Sequence, residues 1–216
     1  DNLTNLLEQA KKPMMAVVGG AKVSSKLGVL NALLAHVDML AIGGAMAFTF
    51  LKAQGYRIGD SLVEEGQLQE AEKIIKTCQE GAVSLLLPLD IVYAETPESK
   101  EALGIVTVQE GIPLGKVGLD IGPKTVALFQ KEMAKARTLF WNGPMGVFET
   151  PAFAKGTYQI AEAFAKNPGL TVAGGGETVS AIMATPYKDL VSHLSTGGGA
   201  SLEFIESGTL PGIDVL

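Results

Sequence analysis

The chain has 216 residues, of which 47% are apolar and 19% charged, and this composition excludes a disordered or low-complexity protein. The net charge of −6 without a basic run argues against a nucleic-acid partner. One cysteine, Cys78, and two histidines exclude a disulfide framework and a Cys/His zinc site. The longest nearly apolar stretch, residues 39–51, is shorter than the about 20 residues that span a bilayer. We therefore predict a soluble, cytoplasmic protein without a signal peptide or a membrane partner.

Apolar runs of strand length alternate with segments of helical spacing along most of the chain. The predicted strands cover residues 14–18, 39–42, 85–87, 117–121, 138–140, 170–173 and 193–195. The predicted helices cover residues 27–34, 45–54, 63–80, 123–136, 153–165 and 200–205, with a further helix from Glu177. Residues 91–118 form a small β excursion. This order predicts an α/β fold that is doubly wound (Rossmann-like), with a mainly parallel six-stranded sheet and helices on both faces.

Glycine is in excess, with 26 residues where an average usage of about 7% gives about 15. The excess lies where predicted strands end, at Gly19-Gly20, Gly43-Gly44, Gly143 with Gly146, Gly174-Gly175-Gly176 and Gly197-Gly198-Gly199. Ligands bind at this edge of open α/β sheets, and glycine lets backbone N–H groups approach an anion. Several such turns indicate a polyphosphate ligand, although a single pair is equally explained by tight turn geometry. Neither a P-loop nor a G-x-G-x-x-G dinucleotide motif is present.

Two lysines and one glutamate next to these glycines are candidates for phosphate and metal binding. If a helix begins near Lys22, then Lys22 and Lys26 lie on one face at its N-terminal end, a costly place for cations unless an anion is bound. Glu177 is a natural ligand for a nucleotide-bound Mg²⁺, although taken alone it is better explained as an ordinary N-terminal helix carboxylate. We expect His36 to be partly buried at a helix end and His193 to make structural hydrogen bonds at a strand edge. A phosphoryl transfer to an already ionised acceptor needs no catalytic base.

Four motifs together resemble the phosphoglycerate kinase family. They are GGAKVSSK at 19–26, GLDIGP at 118–123, WNGPMGVFE at 141–149 and STGGGAS at 195–201. The resemblance runs from about residue 13 to 212 and covers only the C-terminal, nucleotide-binding half of that family. It implies an interdomain helix ending at 1–12, the nucleotide-binding domain at 13–207 and a tail at 208–216. The N-terminal, acid-binding domain is expected to be absent, and the chain is expected to be a monomer.

The resemblance implies reversible phosphoryl transfer between ATP and 3-phosphoglycerate in glycolysis, with Mg²⁺ as cofactor. Lys22 and the backbone of Gly197, Gly198 and Gly199 would act on the transferring group, and Lys26 would hold the nucleotide phosphates. Gly43, Gly44, Gly118 and Leu119 would border the adenine, Glu149 would bind the ribose, and Asn142 would lie beside the phosphates. Gly175, Gly176, Glu177 and Thr178 would form the phosphate and metal loop, with Glu177 as the metal ligand. Gly20, Ala21, Pro144, Val147 and Gly174 complete the implied nucleotide contacts.

Two departures from the family pattern shape the expected activity. The family usually has Asp where this chain has Glu177, so the metal geometry could differ by one methylene. Without the acid-binding half, the chain is expected to bind Mg·ADP or Mg·ATP with negligible turnover. Two other hypotheses stay open at this point. One is a nucleotide-binding module without catalysis, and the other is an oxidoreductase on a similar sheet, which the glycine spacing disfavours.

Overall fold

A computed structural model describes residues 10–196, and its centre is a six-stranded parallel sheet. The strands are β1 (Met14–Val18), β2 (Met39–Ile42), β3 (Ser84–Leu86), β7 (Thr138–Asn142), β8 (Leu170–Gly174) and β9 (His193–Ser195). Their order across the sheet is β3-β2-β1-β7-β8-β9, and every neighbouring pair is parallel. The strand order reverses between β1 and β7, which makes the crevice at their carboxyl ends the expected ligand site of such a sheet.

Helices cover both faces of this sheet, as the alternation predicted. They are α1 (Leu27–Leu34), α2 (Met46–Ala53), α3 (Leu68–Glu80), α4 (Pro123–Met133), α5 (Lys155–Ala165) and α6 (Gly176–Met183). Three short 3₁₀ turns lie at Glu65–Gln67, Pro151–Phe153 and Lys188–Leu190. The doubly wound α/β architecture is therefore confirmed.

The side chains of β1 show how one strand serves two hydrophobic cores. Successive residues of a strand point to opposite faces of the sheet. Met14, Ala16 and Val18 pack in the core beneath α1, α2 and α3. Met15 and Val17 pack in the core beneath α4, α5 and α6. All five residues are buried, which explains why the strand reads as a continuous apolar run rather than an alternating one.

A second, antiparallel sheet of three strands lies outside the main one, in the order β5-β4-β6. Its strands are β4 (Asp90–Ala94), β5 (Gly104–Thr107) and β6 (Val117–Ile121). The predicted excursion is present, but the sequence reading placed residues 117–121 back in the main alternation, and that assignment is wrong. The apolar run is typical of either sheet, and only the pairing of β6 with β4 decides between them.

Helix ends are fixed by local chemistry and by one tertiary contact. Pro123 occupies the first turn of α4, where its missing N–H costs nothing, and Gly81 follows the last residue of α3. The buried Asp90 carboxylate of β4 accepts the N–H groups of Lys124 and Thr125, at 3.0 and 2.8 Å. A side chain from another strand therefore satisfies the free N–H groups at the start of α4.

Three further expectations can be compared with the structure. Cys78 is buried on the apolar side of α3, as predicted. His36 is exposed just beyond α1, so the expectation of partial burial is wrong. The predicted helix at 200–205 and the tail at 208–216 lie outside the described residues, as do residues 1–9 of the interdomain helix end predicted at 1–12; residues 10–12 are described and are not helical. No helix within residues 10–196 is both long enough and apolar enough to cross a membrane.

Candidate functional site

A cleft of about 280 Å³ opens where the carboxyl ends of β1, β2 and β7 meet the small sheet. Nine residues that the resemblance assigned to nucleotide binding line it: Gly20, Ala21, Gly44, Gly118, Leu119, Pro144, Val147, Glu149 and Glu177. These residues come from five separate segments of the chain. Their convergence at the strand-order reversal is the geometry that α/β proteins use for ligands.

The glycines at the base of the cleft allow three turns to cross at very short range. A Cβ on Gly143 would overlap the carbonyl group of Gly19, and one on Gly44 would overlap the backbone of Gly20. Gly20, Gly44 and Gly143 also have positive φ values of 106°, 65° and 95°. Side chains are excluded there both by lack of space and by backbone conformation.

The N–H groups of the first two glycine pairs are not free to bind an anion. The N–H groups of Gly19 and Gly20 donate to the carbonyls of Asn142 and Pro144, at 2.8 and 3.0 Å. Those of Gly43 and Gly44 donate to the carbonyls of Val18 and Met145, at 2.9 and 3.1 Å. For these two pairs the structure supports tight turn geometry, the alternative left open above, rather than N–H groups presented to a phosphate. They hold the turns together, and Gly43 packs against Met145 behind the cleft.

One end of the cleft is apolar. Phe48, Val117, Leu119 and Val147 line it, and a Cβ on Gly118 would overlap the Phe48 ring. The N–H of Val147 donates to the carbonyl of Leu119 at 2.9 Å, which joins the segment 143–149 to β6. Apolar walls of this kind suit a planar aromatic group such as a nucleobase.

At the other end, the lining residues Gly20 and Glu177 adjoin a polar group built around the Asn142 side chain. Lys26 and Asn142 lie next to the cleft and do not line it. The Lys26 ammonium donates to Asn142 Oδ1, and Asn142 Nδ2 donates to the carbonyl of Gly174 at 2.8 Å. The N–H of Gly143 donates to Thr178 Oγ1 at 2.6 Å. Partial burial lowers the pKa of Lys26, while the nearby Glu177 carboxylate opposes that shift. A phosphate group placed here would favour the charged ammonium.

Lys22 lies on a loop rather than on a helix. Because α1 begins only at Leu27, Lys22 and Lys26 do not share a helix face, and that prediction is wrong. Glu64 anchors the loop, since its carboxylate accepts the N–H of Ser24 at 3.0 Å and the hydroxyl of Ser24 at 2.5 Å. Burial alone would raise the pKa of Glu64, but the hydrogen bonds from Ser24 and the charge of Lys22 leave that pKa lowered. The Lys22 side chain is exposed.

The donor set allows a metal ion only together with a bound nucleotide. No three His, Cys, Asp or Glu side chains of residues 10–196 converge on a metal position. Glu177 stands exposed in the first turn of α6, following Gly175 at φ 96°. Mg²⁺ is commonly held by one or two carboxylates plus substrate phosphates, so this single carboxylate fits it as part of a Mg–nucleotide complex.

The remaining predicted residues fall into two groups. Gly175 and Gly176 lie at the start of α6 beside the polar end of the cleft. Gly197, Gly198 and Gly199 lie outside the described residues. The sequence reading also missed several lining residues: Ala45, Phe48, Leu62, Ile91, Pro97, Val117, Asp120, Ile121, Met145 and Gly146. For Asp120 a signal existed, because a carboxylate interrupts an otherwise apolar strand; for Phe48 and Leu62 none did.

The phosphoglycerate kinase family model matches residues 1–208. The chain belongs to the phosphoglycerate kinase family. Two relatives named phosphoglycerate kinase, from Rubrobacter xylanophilus and Clostridium tetani, are 51% and 49% identical over 217 and 214 residues. The alignments cover 100% and 99% of this chain but 54% and 53% of those proteins. The chain thus spans about half the length of the curated relatives it matches.

Solved structures of phosphoglycerate kinases share the fold. The enzyme from Coxiella burnetii superposes with a TM-score of 0.92 at 44% identity, over 98% of this chain and 55% of that one. The enzyme from Pyrococcus horikoshii superposes with a TM-score of 0.82 at 29% identity, over 97% and 53%. The six-stranded parallel sheet with its added antiparallel sheet is therefore a phosphoglycerate kinase architecture.

Proposed function

We propose that this chain is the nucleotide-binding half of a phosphoglycerate kinase and binds ATP and ADP as their Mg²⁺ complexes. The observation that carries the proposal is the two-ended cleft. An apolar slot at Gly118 and Leu119 belongs to the same cleft as Gly20 and Glu177, and the hydrogen-bonded pair of Lys26 and Asn142 adjoins these last two residues. An adenine in the slot would direct its phosphates toward Lys26 and the start of α6.

The charges at the polar end suit a polyphosphate. Lys26 is partly desolvated and already oriented by Asn142, so little reorganisation is needed when a phosphate arrives. Lys22 lies on the anchored loop before it, where its exposed side chain can reach the terminal phosphate. Glu177 would hold the Mg²⁺ that the nucleotide brings, and bound Mg²⁺ would neutralise phosphate charge.

The proposed reaction moves the terminal phosphoryl group of ATP to the carboxylate of 3-phosphoglycerate. A bond forms between a carboxylate oxygen and the γ-phosphorus, and the bond from that phosphorus to the β–γ bridging oxygen breaks. ADP and 1,3-bisphosphoglycerate result. Because the attacking carboxylate is already ionised, no side chain has to remove a proton. Lys22 and Lys26 would stabilise the negative charge of the phosphoryl group during its transfer. Since this is a reaction of glycolysis, we expect the protein to act in the cytoplasm.

The acid substrate would bind to the part of the full-length enzyme that this chain does not span. Of the motifs quoted above, none supplies a basic acid-binding patch, and the chain carries a net charge of −6. We therefore expect the chain alone to bind Mg–nucleotide with negligible turnover, as a monomer. A coupled assay in which the chain alone turns over at rates near those of full-length enzymes would contradict this expectation.

Calorimetric titration with ADP, with and without Mg²⁺, tests the nucleotide site. One-to-one binding that weakens about tenfold or more in Lys26→Ala is expected, because a charge-assisted contact to phosphate is lost. Lys131→Ala is the matched control, since Lys131 is exposed on α4 and, unlike Lys26, neither bonds Asn142 nor adjoins the lining residue Gly20. Absence of ADP binding, or equal weakening in both variants, would refute the proposed function.

A further inference from the structure

Asp120 is a buried carboxylate at the cleft to which no role has been given above. It lies in β6, is only 3% exposed, and lines both the nucleotide cleft and a second cavity of about 340 Å³ behind it. Carboxylates are rarely buried this deeply without a charged partner. Within the described residues, the Asp120 carboxylate accepts hydrogen bonds from two backbone N–H groups and from no charged side chain.

Those two N–H groups come from two different structural elements. Asp120 Oδ1 accepts the N–H of Ile121 at 2.9 Å, and Oδ2 accepts the N–H of Gly156 at 2.8 Å. Gly156 lies in the first turn of α5, where the N–H groups have no partner within the helix and carry partial positive charge. One carboxylate therefore ties the strand that carries Leu119 to the start of α5.

The same helical turn also holds the opposite wall of the cleft. Thr157, next to Gly156, accepts the N–H of Met145 on its Oγ1 at 3.0 Å. Met145 belongs to the segment 143–149, whose Val147 lines the cleft and bonds Leu119. Two walls of the apolar slot are thus fastened to one turn of α5.

Two glycines leave space for this carboxylate and for nothing larger. A Cβ on Gly146 would lie 2.5 Å from Asp120 Oδ1, and one on Gly156 would overlap the same carboxylate. The glycines come from the cleft wall and from α5, so both segments close on the Asp120 side chain. This cradle fixes the carboxylate in position with respect to the slot.

We propose that Asp120 is a positioning residue for nucleotide binding, because its carboxylate sets the separation of the two walls that would hold the adenine. The inference rests on the proposed function. Asp120 itself touches neither the phosphates nor the transferring group in this assignment. It would act through Leu119 and Val147, which line the cleft where the base would bind.

The charge state of the carboxylate matters for this role. Burial raises the pKa of Asp120 to about 7, against the lowering effect of the two N–H groups. The charged groups on the surrounding elements are Asp90 on β4, Lys124 on α4, Lys155 on α5, Glu149 in the segment 143–149 and Glu177 across the cleft. Within residues 10–196 none of these donates a hydrogen bond to Asp120. Protonation leaves one oxygen as a poorer acceptor, so the wall contacts weaken as the pH falls through this range.

The test compares ADP dissociation constants of the wild-type chain and Asp120→Asn between pH 5.5 and pH 8.5. Because ADP titrates identically in both experiments, the ratio of the two constants removes the ligand's own protonation. At pH 8 we expect Asp120→Asn to bind about tenfold more weakly, since a hydrogen bond to a charged group is lost. At pH 5.5 the ratio should fall toward one, because the wild-type carboxyl is then neutral as well.

A second buried aspartate provides the matched control. Asp90 lies on the neighbouring strand, is 1% exposed and also accepts N–H groups at a helix start, but it does not line the cleft. Asp90→Asn should leave the ADP affinity of the folded chain within about twofold of wild type at every pH, because its helix carries no wall of the slot. If Asp120→Asn does not fold, Gly156→Ala displaces the same carboxylate and should weaken ADP binding at pH 8.

The outcomes separate the inference from the function on which it rests. A ratio near one at all pH values, a ratio that does not change with pH, or equal weakening in Asp90→Asn would overturn the positioning role. Failure of the wild-type chain to bind ADP, or of Lys26→Ala to weaken binding, would overturn the proposed function and the inference with it.

Discussion

The pH dependence of stability that Asp120 imposes is the sharpest prediction of the structure. Its pKa is raised from 3.8 to about 7 in the folded chain. Between these values the folded state keeps the proton while the unfolded state has lost it. The free energy of unfolding must therefore fall as the pH rises, by about 1.4 kcal/mol for each pH unit. Over the interval of about three units, the carboxylate costs about 4 kcal/mol once it is fully ionised.

Urea unfolding followed by tryptophan fluorescence measures this dependence. Trp141 is the single tryptophan of the chain and is fully buried beside Phe164, so its emission reports on the central sheet. The difference in unfolding free energy between the wild type and Asp120→Asn removes the contributions of all other titrating groups. As the pH rises from 5 to 7, the wild type should lose about 2 kcal/mol of unfolding free energy relative to Asp120→Asn.

Parallel pH dependences of the two proteins would refute the reasoning, because they would mean that Asp120 titrates in the folded chain as it does in water. The sign gives a further check. Raising the pH should lower the stability of the wild type relative to Asp120→Asn, while it should strengthen nucleotide binding relative to the same variant. A purely structural role for Asp120 would move stability and binding in the same direction.

Two further substitutions probe the turns around the cleft. Gly143→Ala should lower the free energy of unfolding by about 3 kcal/mol, because a Cβ at φ 95° would overlap the carbonyl group of Gly19. In Gly66→Ala, where a Cβ meets open space, urea unfolding should change by less than about 1 kcal/mol. Glu64→Gln should weaken ADP binding severalfold in calorimetry, because the charge that anchors Ser24 and the Lys22 loop is lost. Unchanged ADP affinity in that variant would mean that the loop holds its position without Glu64.

Much of the fold could be predicted because its signals are local. The strands β1, β2, β7 and β8 lie where continuous apolar runs predicted them, since a strand buried on both faces needs apolar residues at every position. The end of α3 at Gly81 and the start of α4 at Pro123 could also be predicted, because each depends on the backbone chemistry of one residue. The prediction failed for β6, whose sheet depends on partners 23 to 30 residues earlier in the chain, as in the pairing of Ala94 with Val117 and of Ile91 with Ile121.

In the candidate site, too, the sequence predicted individual residues but not the contacts between distant segments. Lys26 and Glu177 were predicted by their chemical types and by the resemblance to known motifs, and Asn142 by the resemblance alone. Their connections were not, since the hydrogen bond from Lys26 to Asn142 spans 116 residues of chain and the one from Asn142 to the carbonyl of Gly174 spans 32. The resemblance assigned Gly44 to the adenine border and Gly20 to a nucleotide contact, and both line the cleft, but only the structure shows that their N–H groups hold neighbouring turns.

The sequence by itself determined the alternation of strands and helices, the glycine-rich edge of the sheet and the family, because each depends only on residue type and local spacing. Only the tertiary structure decided which backbone N–H groups are already hydrogen-bonded to carbonyls and which segments of the chain together line the cleft. It also decided that Asp120 is buried at the junction of β6 and α5, with a pKa of about 7. Burial and hydrogen bonding are properties of neighbours in space, and the chain brings those neighbours together only when it folds.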